Sequence, residues 1–176
     1  MNTLIARENN GQRTETSKRF WPSQEVQAPA RRAGLPSDAR EWVDPCTLTF
    51  WVWDEVEAAG AVPTASGLQR REPATATMLT LLTFAYANNV LDSGEIHDAC
   101  KSDPAFRFLC GGSPPFPEEI TSFRRRHRLE LQGLLARVFA RLISRGNGAV
   151  NLTVCPCLWQ EAQERLDIAR QLDDGD

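Results

Sequence analysis

The chain has 176 residues, of which 41% are hydrophobic, and a formal net charge of -3. This length and apolar content suit one domain with a hydrophobic core. The most apolar stretch, MLTLLTFAYA, is far shorter than the roughly 18 apolar residues of a membrane-spanning helix. The amino terminus lacks the apolar core of a signal peptide, and five cysteines at irregular spacing argue against a disulfide framework. We therefore expect a cytoplasmic protein with no membrane association.

Positive charge is concentrated in one segment, although the chain as a whole is acidic. Residues 101–145 carry nine Lys and Arg against four Asp and Glu, a net charge of +5. By contrast, residues 41–100 carry -7 and residues 146–176 carry -4, while residues 1–40 carry +3. Such segregation allows a polyanion to dock on one face of an acidic protein. The alternative is that the basic residues only solvate one face of a helix.

Helix signals dominate from residue 41 onward. Asp44-Pro45 predicts a helix that ends at Gly60, with Asp as the N-cap and Pro in the first turn. After a loop rich in Pro, Ser and Gly, Pro73 opens a second helix that is apolar on most sides and ends near Asn88-Asn89. We expect this second helix to be the central buried one. Residues 1–40 show no periodicity and are interpreted as a flexible basic arm.

Two short helices and a long one follow. Asp92 and Glu95 have capping-box spacing, and Asp103-Pro104 begins a helix that Gly111-Gly112 stops. Pro117 then opens the longest helix, whose apolar stripe recurs every three or four residues: Ile120, Phe123, His127, Leu131, Leu134, Val138 and Leu142. The spacing of a short helix, a tight turn and a basic helix is typical of a helix-turn-helix.

These signals together predict an all-α fold. Residues 41–146 are expected to form a compact multi-helix domain with a helix-turn-helix-like unit, preceded by the arm of residues 1–40. Residues 147–176 are expected to form a turn, a short acidic carboxyl-terminal helix and a tail. In the long helix, Arg124, Arg125 and Arg128 are expected to share an exposed face, because they lie off the apolar stripe. Arg126 is expected to point the opposite way, towards the acidic 41–100 segment.

Two quoted stretches carry a resemblance to a known family. MLTLLTFAYANNVLDSGEIHDACKSDPAFRFLCGG and ITSFRRRHRLELQGLL resemble the amino-terminal domain of bacterial insertion-sequence transposases with an RNase-H-like acidic-triad catalytic domain. The resemblance runs from about Asp44 to Gly146. It implies an all-helical domain that binds the ends of a mobile element. Three positions depart from the family pattern: Phe116 replaces a capping Asp, Glu119 a small hydroxyl residue and Ser122 an arginine.

The carboxyl-terminal stretch departs further from the family. NGAVNLTVCPCLWQEAQERLDIARQL has no aspartate before Asp167, whereas the family there enters a strand that carries the first metal-binding aspartate. Two-metal phosphoryl transfer needs several converging carboxylates. We therefore expect the catalytic domain to be absent, and the chain to be no enzyme, with no cofactor and no catalytic residue. A zinc site of His97, Cys100, Cys110, Cys155 and Cys157 is disfavoured by its spacing.

Two functional hypotheses remain. In the first, the protein is a transposase-derived, nucleoid-associated DNA-binding protein, truncated or domesticated, that regulates or competes with a transposase. Arg124, Arg125, Arg126 and Arg128 would contact phosphates of double-stranded DNA, with Arg31 and Arg32 of the arm reaching along the duplex. Base edges would be contacted by Thr121 and Ser122, and His127 and Arg107 would lie in the same interface. In the second, the long and carboxyl-terminal helices form a homodimer or bind a full-length transposase, without useful DNA affinity.

Overall fold

The structure, a computed structural model, describes residues 35, 37–60, 62–64, 67–69, 73–147 and 156–175. Within these residues it confirms the predicted helical fold. A 3-10 helix at Ala39–Glu41 precedes seven α-helices and two strands, in the order α1 (Pro45–Gly60), β1 (Val62–Thr64), β2 (Gly67–Gln69), α2 (Pro73–Ala87), α3 (Ser93–Ser102), α4 (Pro104–Leu109), α5 (Pro117–Arg126), α6 (Arg128–Asn147) and α7 (Pro156–Asp174). None of the described helices is long and apolar enough to cross a membrane.

Helix α2 is the buried centre of the domain, as the sequence predicts. It packs against α1, α4, α5 and α6, and every residue from Leu79 to Asn88 is buried. Phe84 meets Phe106 of α4 edge to face, with ring centroids 5.2 Å apart, a favourable geometry for two aromatic rings. A helix enclosed on all sides needs apolar residues on all sides, and α2 has them.

Three aspartates cap the amino-terminal ends of helices, as the sequence predicts. Each carboxylate accepts a hydrogen bond from a first-turn backbone N–H, which would otherwise lack a partner. The pairs are Asp44 with Thr47 at 3.0 Å, Asp92 with Glu95 at 2.9 Å and Asp103 with Ala105 at 2.8 Å. The Thr47 hydroxyl also donates to Asp44, and this bond, followed by the amide bond, lowers the pKa of Asp44.

The structure differs from the sequence prediction at three places. The segment between α1 and α2, expected to be a loop, contains an antiparallel pairing of β1 with β2 in which Val62 faces Gln69. The long helix expected from Pro117 is divided at His127, whose backbone leaves helical geometry at φ -108 and ψ 23. The two halves pack on different neighbours: α5 lies mainly on α3, whereas α6 lies mainly on α7, α1 and α2. A single straight helix could not make both sets of contacts.

The third difference is the size of α7. The sequence predicts a short helix, but α7 spans 19 residues and contributes Leu158, Ala162, Leu166 and Ala169 to the core. It packs against α6. The proposed division of the chain at residue 146 stays a prediction. The proposed arm of residues 1–40, including Arg31 and Arg32, lies outside the described residues apart from Leu35 and residues 37–40.

A buried arginine attaches α7 to the central helix. Arg165 pairs with Glu161 at 2.9 Å, and its guanidinium lies 4.8 Å from the centre of the Phe139 ring. The Arg165 Nη1 group donates to the carbonyls of Tyr86 and Ala87, at 2.8 and 3.1 Å. These carbonyls lie at the carboxyl end of α2, where helix carbonyls have no partner within the helix. Arg165 therefore caps α2 from a different helix.

Replacing this arginine should strongly destabilise the fold. Arg165→Ala removes the cap of α2 and leaves the Glu161 carboxylate buried without its cation, which should lower the free energy of unfolding by about 3–5 kcal/mol. Urea unfolding followed by circular dichroism measures the change. Lys101→Ala, which breaks an exposed pair with Asp98, is the control and should change stability by less than about 0.5 kcal/mol. Equal midpoints for the two variants would contradict this role of Arg165.

Candidate nucleic-acid interface

The first arginine of the basic cluster is buried. Arg124 is 3% exposed, and its Nη1 group donates to the Tyr86 hydroxyl at 3.1 Å and to the Leu91 carbonyl at 3.4 Å. Its Nη2 group pairs with the carboxylate of Asp173 in α7. The expectation that Arg124 lies on an exposed face is therefore wrong. It follows the buried Ile120 by four residues, and residues four apart share one face of a helix.

Asp173 accepts hydrogen bonds from two other helices, α5 and α3. Besides Arg124, it accepts from the Thr121 hydroxyl of α5, from the Ser93 hydroxyl at 2.8 Å and from the Ser93 backbone N–H at 3.2 Å. Thr121, predicted to contact a base edge, is half-buried and occupied by this carboxylate. The neighbouring Ser122 is exposed.

The next arginines lie at the surface, and two of them also pair with α7. Arg125 donates to Asp174 at 2.9 Å, with 62% of its side chain exposed. Arg128 donates to Asp167 at 2.7 Å and is about one-third exposed. Each of the three pairs formed by Arg124, Arg125 and Arg128 thus joins the cluster to a carboxylate of α7.

Arg126 differs from its neighbours. It is exposed, and among the described residues it has no ion-pair partner. With the described part of the acidic 41–100 segment, Arg126 forms no ion pair, although it lines a small surface pocket together with Met78 of α2. That segment is held by Arg137 and Arg141 of α6, which pair with Glu55, and Arg141 also pairs with Asp54.

A cleft of about 920 Å³ brings several predicted residues together. It lies between the amino-terminal turn of α3 and the outer face of α5, with Asp173 at its edge. Thr121, Ser122, Arg125 and Arg126 line it. Asp92 and Glu118 also line this cleft, so its charge is mixed.

Three other predicted residues do not line this cleft. Arg107 is exposed on α4. His127 stacks on Phe123 with ring centroids 4.2 Å apart, and its Nδ1 lies 2.8 Å from a Glu130 carboxylate oxygen. Arg128 begins α6 beyond the break at His127. The eight predicted residues therefore form one group of four at the cleft and four that are separate or buried.

Two of the departures from the family pattern have a structural role together. Phe116 cannot cap α5 with its side chain, but the Glu119 carboxylate accepts the Phe116 backbone N–H at 2.9 Å. This is the reciprocal half of a capping box. A negative charge in the first turn also suits the positive end of a helix. Glu119 therefore stabilises the start of α5, and its negative charge reduces the net positive charge near the cleft.

Of the cysteines and the histidine considered for zinc, Cys155 lies outside the described residues. Cys100 and Cys110 are buried free thiols, and burial, followed by the neighbouring Cys110, raises the pKa of Cys100 to about 12. The His97 ring lies 2.9 Å from the Pro115 carbonyl. Cys157 is disulfide-bonded, which the sequence did not predict. Among the described residues, no group of three or more His, Cys, Asp and Glu has an arrangement that suits a metal ion.

Sequence reasoning missed the groups that position the cluster. The sequence pattern places Tyr86 only in the apolar central helix, and Asp167, Asp173 and Asp174 only in an acidic carboxyl-terminal segment. One signal was available, because the -4 charge of residues 146–176 complements the +5 charge of residues 101–145. Pairing individual residues across that distance in sequence required the tertiary structure.

Tyr86 offers a direct measurement of this buried network, because it is the only tyrosine in the chain. Burial raises the pKa of its hydroxyl, and the Arg124 guanidinium only partly opposes the rise. The tyrosinate absorbance of the native protein should therefore titrate above the ordinary value of about 10. Since the raised pKa stabilises the protein below pH 10, stability should fall as pH rises from there.

Tyr86→Phe is the control for both measurements. It removes the tyrosinate signal and this part of the alkaline loss of stability, while other alkaline titrations remain. A native midpoint equal to that in concentrated urea would contradict the burial of the Tyr86 hydroxyl.

Comparison with known proteins gives one match. No curated protein and no solved structure matches the chain. Residues 49–126 match a family model described as Transposase domain (DUF772). The matched range begins within α1 and ends with α5, so it includes Arg124, Arg125 and Arg126 and stops before Arg128 and the acidic helix α7. This part of the chain is thus similar to a transposase domain.

Proposed function

We propose that the protein is a transposase-derived DNA-binding protein that contacts double-stranded DNA through the junction of α5 and α6. The observation that carries the proposal is the placement of Arg125 and Arg126, exposed beside Ser122 at one cleft, in a helix of the transposase-related segment. An anionic backbone is a natural ligand for exposed guanidinium groups that are close together.

The proposal divides these residues into phosphate contacts, a candidate base contact and structural supports. Arg125, Arg126 and Arg128 neutralise phosphates, which supplies affinity without sequence preference. Ser122, exposed between Thr121 and Phe123, is the candidate for contact with a base edge. Arg124 makes no contact with DNA in this scheme, and it fixes α5 on α2 and α7. Thr121 supports it by bonding the same carboxylate.

The biological role proposed is regulation. A DNA-binding domain that acts without strand transfer occupies the ends of a mobile element and competes with an intact transposase for them. Binding to the nucleoid and association with a full-length transposase belong to this proposal. It assigns no strand cleavage to the chain.

Single substitutions test the proposed interface. Arg125→Ala, Arg126→Ala and Arg128→Ala should each weaken binding to random duplex DNA by a similar factor on every sequence. Each should also lower the slope of log affinity against log salt by about one unit, since each removes one phosphate contact. Fluorescence anisotropy titrations between about 50 and 200 mM salt measure both quantities. Ser122→Ala should weaken binding only on particular sequences.

Lys101→Ala is the matched control, because it removes one exposed positive charge at the other end of α3 and should leave binding nearly unchanged. Absence of binding by the parent at about 50 mM salt would refute the proposed function. Equal binding by all the arginine variants would refute the proposed interface. Magnesium- or manganese-dependent nicking that co-purifies with the protein would show that binding is not its whole activity.

A second candidate function is self-association, favoured by an exposed aromatic surface. Phe50 and Trp53 of α1 and Phe108 of α4 are 71%, 51% and 68% exposed. Trp53 and Phe108 flank a groove of about 190 Å³. Apolar clusters of this kind are common at protein interfaces. The sequence hypothesis assigned pairing to the long and carboxyl-terminal helices, but much of their apolar surface is buried between them and α1 and α2.

Sedimentation velocity tests this candidate. If a second copy covers the aromatic surface, the parent should sediment as a dimer, and Phe50→Ser combined with Phe108→Ser should sediment as a monomer. Leu129→Ser is the control, because Leu129 is an equally exposed apolar residue on α6 and outside this groove. The same sedimentation coefficient for the parent and both variants would eliminate self-association through this surface.

A further inference from the structure

Helix α7 places three carboxylates against the proposed DNA-contacting arginines. Asp173 pairs with Arg124, Asp174 with Arg125 and Asp167 with Arg128. All three carboxylates lie on the last three turns of one helix, which the transposase-domain match does not reach. Carboxylates and phosphates bind a guanidinium through similar charge-assisted hydrogen bonds. The acidic end of α7 therefore occupies the same donors that a DNA backbone would use.

The three ion pairs differ in how easily a phosphate could displace the carboxylate from its arginine. Arg124 and Asp173 have side chains only 4% and 7% exposed, and breaking such a buried pair is costly. Arg125 and Asp174 are 62% and 42% exposed, and ion pairs of this kind are weak and screened by salt. The pair of Arg128 with Asp167 lies between these limits.

A phosphate can replace Asp174 at Arg125, or Asp167 at Arg128, without α7 leaving the domain. The helix stays anchored by buried Leu158, Ala162 and Leu166 and by the Arg165 cap of α2. When Arg125 turns to a phosphate, Asp174 still has a cation, because its other oxygen lies 3.4 Å from Arg170. A side-chain rearrangement is therefore sufficient.

We propose that Asp174 and Asp167 act as internal substitutes for backbone phosphates, so that duplex DNA must displace them to bind Arg125 and Arg128. Helix α7 thereby sets the DNA affinity of the α5–α6 junction. This inference rests on the proposed function. It assigns regulation to a helix that otherwise only completes the core, and it leaves Arg126 as the arginine that meets DNA without competition from a described carboxylate.

Isosteric removal of the two carboxylates tests the inference. Asp174→Asn and Asp167→Asn should each tighten binding to random duplex DNA by about 2- to 5-fold at about 50 mM salt, the range expected for freeing one exposed ion pair. The combined variant should show the product of the two gains. All gains should shrink as salt rises, because the competing pairs are themselves screened.

Two controls separate competition from a change in net charge. Asp54→Asn removes one exposed carboxylate paired with Arg141, far along α6 from the cluster, and should tighten binding much less. In an Arg125→Ala background, Asp174→Asn should no longer tighten binding, since the competing pair is already absent. Thermal unfolding of each variant verifies that the fold is retained.

The outcomes distinguish this inference from the function on which it rests. If the parent binds DNA and the α7 variants bind it equally well, the inference is overturned and the proposed function stands. If Asp54→Asn tightens binding as much as Asp174→Asn does, net charge explains the gain and the inference is again overturned. If neither the parent nor any variant binds DNA, the proposed function and the inference fall together.

Discussion

The buried pair of Arg124 and Asp173 determines how α5 and α7 sit on the central helix. Removing two charges from water is costly, and the cost is offset only when their remaining hydrogen-bonding groups are satisfied. Here the hydrogen-bond partners of the two charged groups are Tyr86, the Leu91 carbonyl, Ser93 and Thr121. These groups belong to α2, α3, α5 and the segment between α2 and α3. The pair therefore requires all of these elements to be in place together, which fixes one arrangement of them.

The same pair explains why the neighbouring arginines are exposed. Successive residues of a helix are about 100° apart around its axis. Once Arg124 is directed into the domain, Arg125 and Arg126 are rotated away from it and reach the surface at the cleft. A run of three arginines thus divides into one that supports the fold and two that are available to a ligand. Arg128 follows the break at His127 and belongs to the surface of α6.

Helix α7 has two physical functions that follow from its two faces. Its buried face completes the core through Leu158, Ala162, Leu166 and Ala169, and its Arg165 caps α2. Its carboxyl end supplies negative charge to a positively charged junction. The second function reduces the positive potential of the surface proposed to bind DNA, while it lowers the repulsion among arginines that stand within five residues of each other. Stability and the proposed DNA affinity are therefore opposed at this surface.

The helical fold, most helix starts and the identity of the central helix are predictable from the sequence. These features depend on local signals: aspartate caps at Asp44, Asp92 and Asp103, and apolar residues around all of α2. The tertiary structure alone decided the break at His127, the extent of α7 and the burial of Arg124. Each of these depends on contacts between residues far apart in sequence, and no periodicity in the sequence pairs Arg124 with Asp173, which lies 49 positions further along the chain. A charge run read locally is therefore ambiguous, because only the packed neighbours decide which arginine is buried and which remains at the surface.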